Sequence, residues 1–324
     1  MSTVSKLEQQ IRDFINNNPR TQHGLLQDAA AWSMLCSCLD TIGDIETALD
    51  AYEQSSDPSE IGTRYLLVYG TLQALFIQQD AVTNLCEALA ITYQPEPLLR
   101  NIREIRNDSV GHPTKRDRKK GEEKDKLPAY NFISRSSLRK DGFSLMTVYP
   151  GYPSGSPPSF QSIRIPALIA TQRNLLEKTL SEVLEKMRKE EADHRARYRD
   201  QRLQDIFHST LGYYFQKIYE AIHGTHGEFG FGAGHDVRLI ASIIEDFKGS
   251  LKERGILEAY DPPVGYLLDL LEYPVRELGV YFSGQGKSAI DSKGAYIFTF
   301  FIEKHMDELK SIAEEIDKEY ASEP

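Results

Sequence analysis

The sequence predicts a mainly α protein with a small β insertion, and three observations carry that expectation. Apolar residues recur every three or four positions over most of the chain, the rhythm of helices facing a core. β-leaning composition is confined to Tyr130 to Ile133 and Phe143 to Tyr149, around Lys140-Asp141-Gly142. The chain has 324 residues, 40% hydrophobic and 27% charged, which suffices for one large or two ordinary domains and excludes disorder as a whole-chain description.

In order, Leu25 to Tyr52 reads as a helix pair or one bent helix, and Ser56-Asp57-Pro58 offers Asp57 as a cap and Pro58 for a first turn. A long central helix then opens near Ser59 and keeps its apolar rhythm to Leu89, where Pro95 and Pro97 break it. A shorter helix runs from Leu98 to about Asp108, ended by Gly111 and Pro113. Lys115 to Lys126, KRDRKKGEEKDK, has no apolar residue and reads as a solvated loop leading into a β-hairpin. Helix resumes at Pro166 after a Pro, Gly and Ser-rich stretch. Further helices are expected over Leu203 to Ile222, His235 to Arg254, Pro263 to Leu271 and Ala295 to Tyr320. Gly230-Phe231-Gly232-Ala233-Gly234 follows a helix and not a strand, so it reads as a loop and not as a dinucleotide or phosphate loop. The densely charged KEEADHRARYRDQR suggests a boundary near 195, giving a helical bundle over 1–195 with an insertion at about 115–150, and a helical C-terminal domain of no obvious type over 196–324.

No apolar run reaches the roughly 18 to 20 residues of a membrane helix, and the opening MSTVSKLEQQIRDF lacks the apolar centre of a signal peptide, so a cytoplasmic protein without membrane partners is expected. Cys36, Cys38 and Cys86 form no disulfide framework or zinc pattern and read as small core residues. His223, His226 and His235 lack a carboxylate or Cys at ligand spacing. Neither a metal nor a cofactor is expected.

The formal charge of −10 argues at first sight against nucleic acid. It is unevenly spread: Arg100 to Lys140 holds 13 Lys and Arg against 6 Asp and Glu, an excess of +7 that leaves −17 on the remainder. At the mouth of this cationic island stands Arg106-Asn107-Asp108-Ser109-Val110-Gly111-His112-Pro113. Six residues of continuous α-helix would turn His112 about 240° from Arg106, so a helix break at Gly111 and Pro113 is what lets the two side chains meet. An imidazole suits proton transfer near neutral pH, and a guanidinium suits the charge on a crowded phosphate. Together they fit metal-independent cleavage of RNA by its own 2′-hydroxyl. Arg188 to His194 and Arg202 to His208 have the same spacing, but in helical sequence without Gly or Pro, and read as decoys.

The segment Arg106 to His112 resembles the signature of the HEPN family, an Arg followed by a polar residue and a His after four to six intervening positions. Arg64 to Asp80 resembles the long core helix of bacterial members. The resemblance covers roughly residues 25–190 and implies a HEPN-like helical bundle, here carrying a β-hairpin. It also implies a composite endoribonuclease site at a homodimer interface, in a toxin-antitoxin or phage-defence setting, with an antitoxin or regulatory partner. Arg106 and His112 would then be catalytic, with Asn107 orienting them, and Asp80 a weaker candidate. Lys115, Arg116, Arg118, Lys119 and Lys120 are expected to steer RNA phosphates, with Tyr130 and Phe132 as nearby stacking surfaces. Other members are catalytically silent and bind nucleotides or partners. A helical interaction module is therefore the second reading.

Overall fold

A computed structural model describes residues 2–116, 128–149, 157–224, 230–260, 262–283 and 288–322. Among these the chain is mainly α, with one three-stranded antiparallel sheet. It divides into two compact units, residues 1–14 with 28–186 and residues 15–27 with 187–324. The second unit therefore takes in a short N-terminal segment, and the last crossing falls inside a helix at 186–187.

In the first unit, α1 (Thr3–Asn16) carries Val4, Leu7 and Ile11 on one buried face. Asp28 caps α3 (Ala29–Gln54) by accepting from the backbone N–H of Ala30 and Ala31 at 2.9 and 3.0 Å. α2 (Pro19–Leu26) precedes it, so Leu25 to Tyr52 is two helices with the break at Asp28. α4 (Ile61–Ala88) packs along α3. Asp57 does not cap α4. It accepts instead from the backbone N–H of Lys140 at 2.9 Å and pairs with Arg64, while Glu60 occupies the cap position. The first half of α6 (Ile165–Tyr198) supplies Ile169, Leu176, Leu180 and Val183 to the same core.

A buried polar chain crosses that core. Gln79 donates to Gln172, Gln172 to Gln78 and Gln78 to Glu46, at 2.7, 2.8 and 2.7 Å. Glu46 is in turn paired with Arg173 at 2.9 Å. Every link is an amide or charge-assisted hydrogen bond, and the chain fixes the registers of α3, α4 and α6 against one another, although Gln79 Oε1 at its end is buried without a partner.

α5 (Pro97–Arg106) leads into a π turn, Asn107–Gly111. The sheet follows: β1 (Tyr130–Ile133), β2 (Gly142–Val148) and β3 (Ser159–Arg164), in the order β1-β2-β3. The first two strands are the expected hairpin, and β3 is added to it from the end of the Pro, Gly and Ser-rich stretch. Phe143, Leu145 and Ile163 point into the core. Gly142 has no room for a side chain, since a methyl there would sit 2.0 Å from the carbonyl oxygen of Ile163. The turn is tied to the end of α3 by Tyr52, whose hydroxyl donates to the Lys140 carbonyl at 2.6 Å, and by the Lys140 ammonium, which donates to the carbonyls of Glu53 and Ser55.

In the second unit, α7 (Leu211–Ile222), α8 (Gly230–Glu253), α9 (Val264–Ser283) and α10 (Ser292–Ala321) surround a core centred on Phe247, Leu268, Ile302 and Met306. The glycine-rich 230–234 segment is the first turn of α8 and not a loop. Ala233 is buried there, Gly234 faces Phe282, whose Cβ would make ordinary contact at 3.4 Å with an added methyl, and Gly232 has open space around it, so close packing does not account for the glycines. α6 continues into the charged stretch as far as Tyr198, and that stretch is held by ion pairs within it and with other segments of the unit. Glu191 accepts from Arg20 at 2.6 Å and from Arg195 at 2.8 Å. Asp317 accepts from the backbone N–H of Leu203 and Gln204 at 2.9 and 3.0 Å, capping the 3-10 turn Leu203–Ile206.

Candidate functional site

α5 does not stop at Gly111; it widens. The N–H of His112 donates to the carbonyl of Asn107 at 2.8 Å, a bond spanning five residues and not four, and π turns of this kind recur at functional sites. The extra residue in the hydrogen-bonded ring sets the His112 backbone above Asn107. The interruption expected at Gly111 and Pro113 takes the form of this π turn. Beyond it, the chain turns away at Pro113 to run beside β1, where the Pro113 carbonyl accepts from Asn131 at 2.8 Å.

Gly111 has a second role. A methyl on it would sit 2.7 Å from Nη1 of Arg106, so the guanidinium folds back across this glycine. From the other side it is held by Gln73 on α4, whose Oε1 accepts from Nε at 3.0 Å and from Nη2 at 2.6 Å. Nη1 donates to Asn107 Oδ1 at 2.9 Å, so Asn107 orients Arg106. The guanidinium carbon lies 4.3 Å from the centre of the Phe76 ring, which also carries Arg103 at 3.9 Å. Three of five guanidinium N–H groups are used in these bonds, which leaves two for a ligand.

The two acceptors of Arg106 are neutral amides, and this separates it from its neighbours. Arg103 is paired with Asp80 at 2.7 Å. Arg116 is clamped between Glu104 and Asp108, both at 2.6 Å. Asp80 is thereby committed to Arg103, and Arg116 ties the segment after His112 back to α5. Arg106 alone of these three keeps its positive charge uncompensated at contact distance. His112 is exposed, and no hydrogen bond joins its ring to Arg106 among the described residues. Lys115 is exposed next to this segment, while Arg118, Lys119 and Lys120 lie outside the described residues.

Gln73 and Phe76 are the site residues that motif reasoning does not reach. Their signal is faint: a Gln inside the apolar run GTLQALFIQQD, three residues before a Phe on the same helix face. The decoys behave differently. His194 is partly buried on α6, accepts or donates at 2.9 Å with the Tyr320 hydroxyl, and packs on Tyr198. Burial, with the charge of Arg20, pushes its pKa down to about 4. Arg202 and His208 are exposed and separated by the 3-10 turn Leu203–Ile206.

No group of three metal-ligating side chains occurs among the described residues, and no described helix is long and apolar enough to cross a membrane. Cys38 and Cys86 are buried, the Cys86 thiol being pushed up to about 11 by that burial, and Cys36 is partly exposed. Comparison with protein-family models, with curated proteins and with solved structures finds no match.

Proposed function

We propose that this chain is a metal-independent endoribonuclease of HEPN type, acting on RNA through Arg106 and His112. The observation that carries the reading is the guanidinium of Arg106, fixed by neutral partners, beside a π turn that presents an exposed histidine. In the reaction the 2′-oxygen attacks phosphorus and the bond to the 5′-oxygen breaks. A histidine accepts the 2′-hydroxyl proton, a second proton is delivered to the leaving oxygen, and the two free N–H groups of Arg106 meet the charge on the phosphate. By the family resemblance, the second transfer falls to a second copy of the chain.

α4 offers a surface for that copy. Leu66, Tyr69 and Ile77 are exposed on one stripe that also carries Gln73, with Leu66 at 74% exposure. We read this exposed stripe, on a helix whose other side lines the core, as the contact for the second copy. Because Gln73 holds Arg106, the contact is continuous with the site. The defence or toxin-antitoxin setting follows from the family resemblance.

The test is incubation of purified protein with single-stranded RNA in EDTA. Cleavage that persists in EDTA and vanishes with His112→Ala is expected, together with a dimer in sedimentation that Leu66→Glu dissociates. A second reading, a silent nucleotide-binding module, is favoured by the number of bonds already engaging Arg106. Intact RNA at high protein excess, with retained RNA binding, would select it.

A further inference from the structure

The sheet has two unlike faces. One is core. On the other, the pairing register aligns Phe132 of β1, Met146 of β2 and Phe160 of β3 in a single row across all three strands. Both rings are turned out: Phe132 is 51% exposed and Phe160 67%. Two strand spacings of about 4.8 Å put their backbones roughly 10 Å apart, with the flexible Met146 thioether between them. Buried partners exist for the inward residues of the same strands, so these phenylalanines are not exposed for want of a core.

Charge narrows what this row can receive. The three strands, YNFI, GFSLMTV and SFQSIR, contain no Asp or Glu in a protein of net charge −10. Their one charged residue, Arg164, alternates onto the same face as Phe160 and has no ion-pair partner among the described residues. The row is also joined to the catalytic motif. The bond from Asn131 to the Pro113 carbonyl, and the paired backbone bonds between Arg116 and Ala129 at 2.9 and 3.0 Å, lay the segment that follows His112 along the edge of β1. One strand spacing separates Pro113 from the strand that carries Phe132.

We propose that this outward face is a base-stacking platform for unpaired RNA, Phe132 and Phe160 each receiving a base and Arg164 a phosphate. It rests on the ribonuclease reading and adds to it the substrate class: a single strand, whose bases have free faces. In a duplex those faces are already stacked and cannot reach a flat sheet. An apolar protein partner would use the rings equally well, but it would gain nothing from strands without an acidic residue or from adjacency to His112.

The experiment uses the full chain carrying His112→Ala, so that RNA stays intact, and an end-labelled RNA of about twelve unpaired nucleotides followed by fluorescence anisotropy. Phe132→Ala with Phe160→Ala is expected to raise the dissociation constant at least about tenfold, Phe→Leu at both positions nearly as much, and Phe→Tyr at both positions little. The same strand lacking its bases, and the same sequence as a duplex, are expected to bind as weakly as the alanine variant. Equal binding by the parent and the alanine variant, full rescue by Leu, or equal binding of the base-free strand overturns the platform. Ring-dependent capture of a protein with ring-independent RNA binding does so as well. The ribonuclease reading is scored apart, on chain retaining His112, by cleavage in EDTA of a dinucleotide too short to span the row. Ring-dependent binding without that cleavage keeps the platform and removes the enzyme; cleavage with ring-independent binding does the reverse.

Discussion

Arg106 to His112 and Arg188 to His194 share a spacing and almost nothing else. The second pair stands on the continuous α6, where six residues set the side chains on different faces; Arg188 points to solvent and His194 is held neutral among Tyr198 and Tyr320. The first pair stands on a turn of altered pitch, with the histidine exposed and the arginine held by oxygens that carry no charge. Spacing in sequence is therefore only a distance along the chain. The surroundings decide whether a histidine is open to solvent, and the charge of the acceptors decides whether an arginine has attraction left for a phosphate.

The comparison breaks most sharply on activity. Arg106→Ala and His112→Ala are each expected to lower the rate of RNA cleavage by roughly 10²- to 10⁴-fold, measured as initial rates on end-labelled RNA. His194→Phe and His208→Ala are expected to leave it within about twofold, since neither residue belongs to the Arg106 site. Loss of cleavage with His194→Phe in a protein that remains folded would erase the distinction.

A subtler change tests the charge argument alone. Gln73→Glu preserves an acceptor for Nε and Nη2 of Arg106 while neutralising it, as Asp80 does for Arg103. RNA affinity is expected to fall about tenfold and the melting temperature to hold or rise, a split that a purely structural role for Arg106 does not produce. Binding unchanged by this substitution would show that the neutral acceptors are incidental.

The helices were legible because periodicity survives whatever the tertiary context, and the hairpin because its two strands flank a Lys-Asp-Gly turn. β3 was not: SFQSIR has one buried apolar residue, Ile163, and its largest side chain faces outward, so the alternation that marks a half-buried strand is inverted at Phe160. The 230–234 segment misled because glycines tolerated in the first turn of a helix look the same in sequence as glycines that form a loop. At the site, Arg106, Asn107 and His112 could be found from their types and order. The π turn could not, because nothing in NDSVG distinguishes a five-residue hydrogen bond from a helix stop. Gln73 and Phe76 come from 30 or more residues away and enter through the packing of α4.

The second pair makes its own prediction, on stability. His194 has a folded-state pKa near 4, below the ordinary value of 6.5, so between these values the unfolded chain binds the proton and the native one does not. Stability from this group is complete above about pH 6.5 and declines as the pH falls toward 4, by about 1–2 kcal/mol once solvent screening of the partly exposed ring is allowed for. Unfolding in urea across that window, with His194→Phe flattening the slope, checks it. The smallest effect is expected at Asp80. Asp80→Asn removes a partly exposed ion pair worth about 0.5 kcal/mol and leaves Arg103 on the Phe76 ring, so cleavage is retained, measured on the same RNA.

The most direct measurement is the chemistry of the ends. RNA and DNA strands of one sequence are incubated with the protein in EDTA, and the fragments are analysed by mass spectrometry. Attack by the 2′-hydroxyl, assisted by Arg106 and His112, predicts RNA fragments ending in 2′,3′-cyclic phosphate with 5′-hydroxyl partners, intact DNA, and no fragments from Arg106→Ala or His112→Ala. Cleavage of the DNA, 3′-hydroxyl ends on the RNA, or unchanged cleavage by either variant would contradict the account.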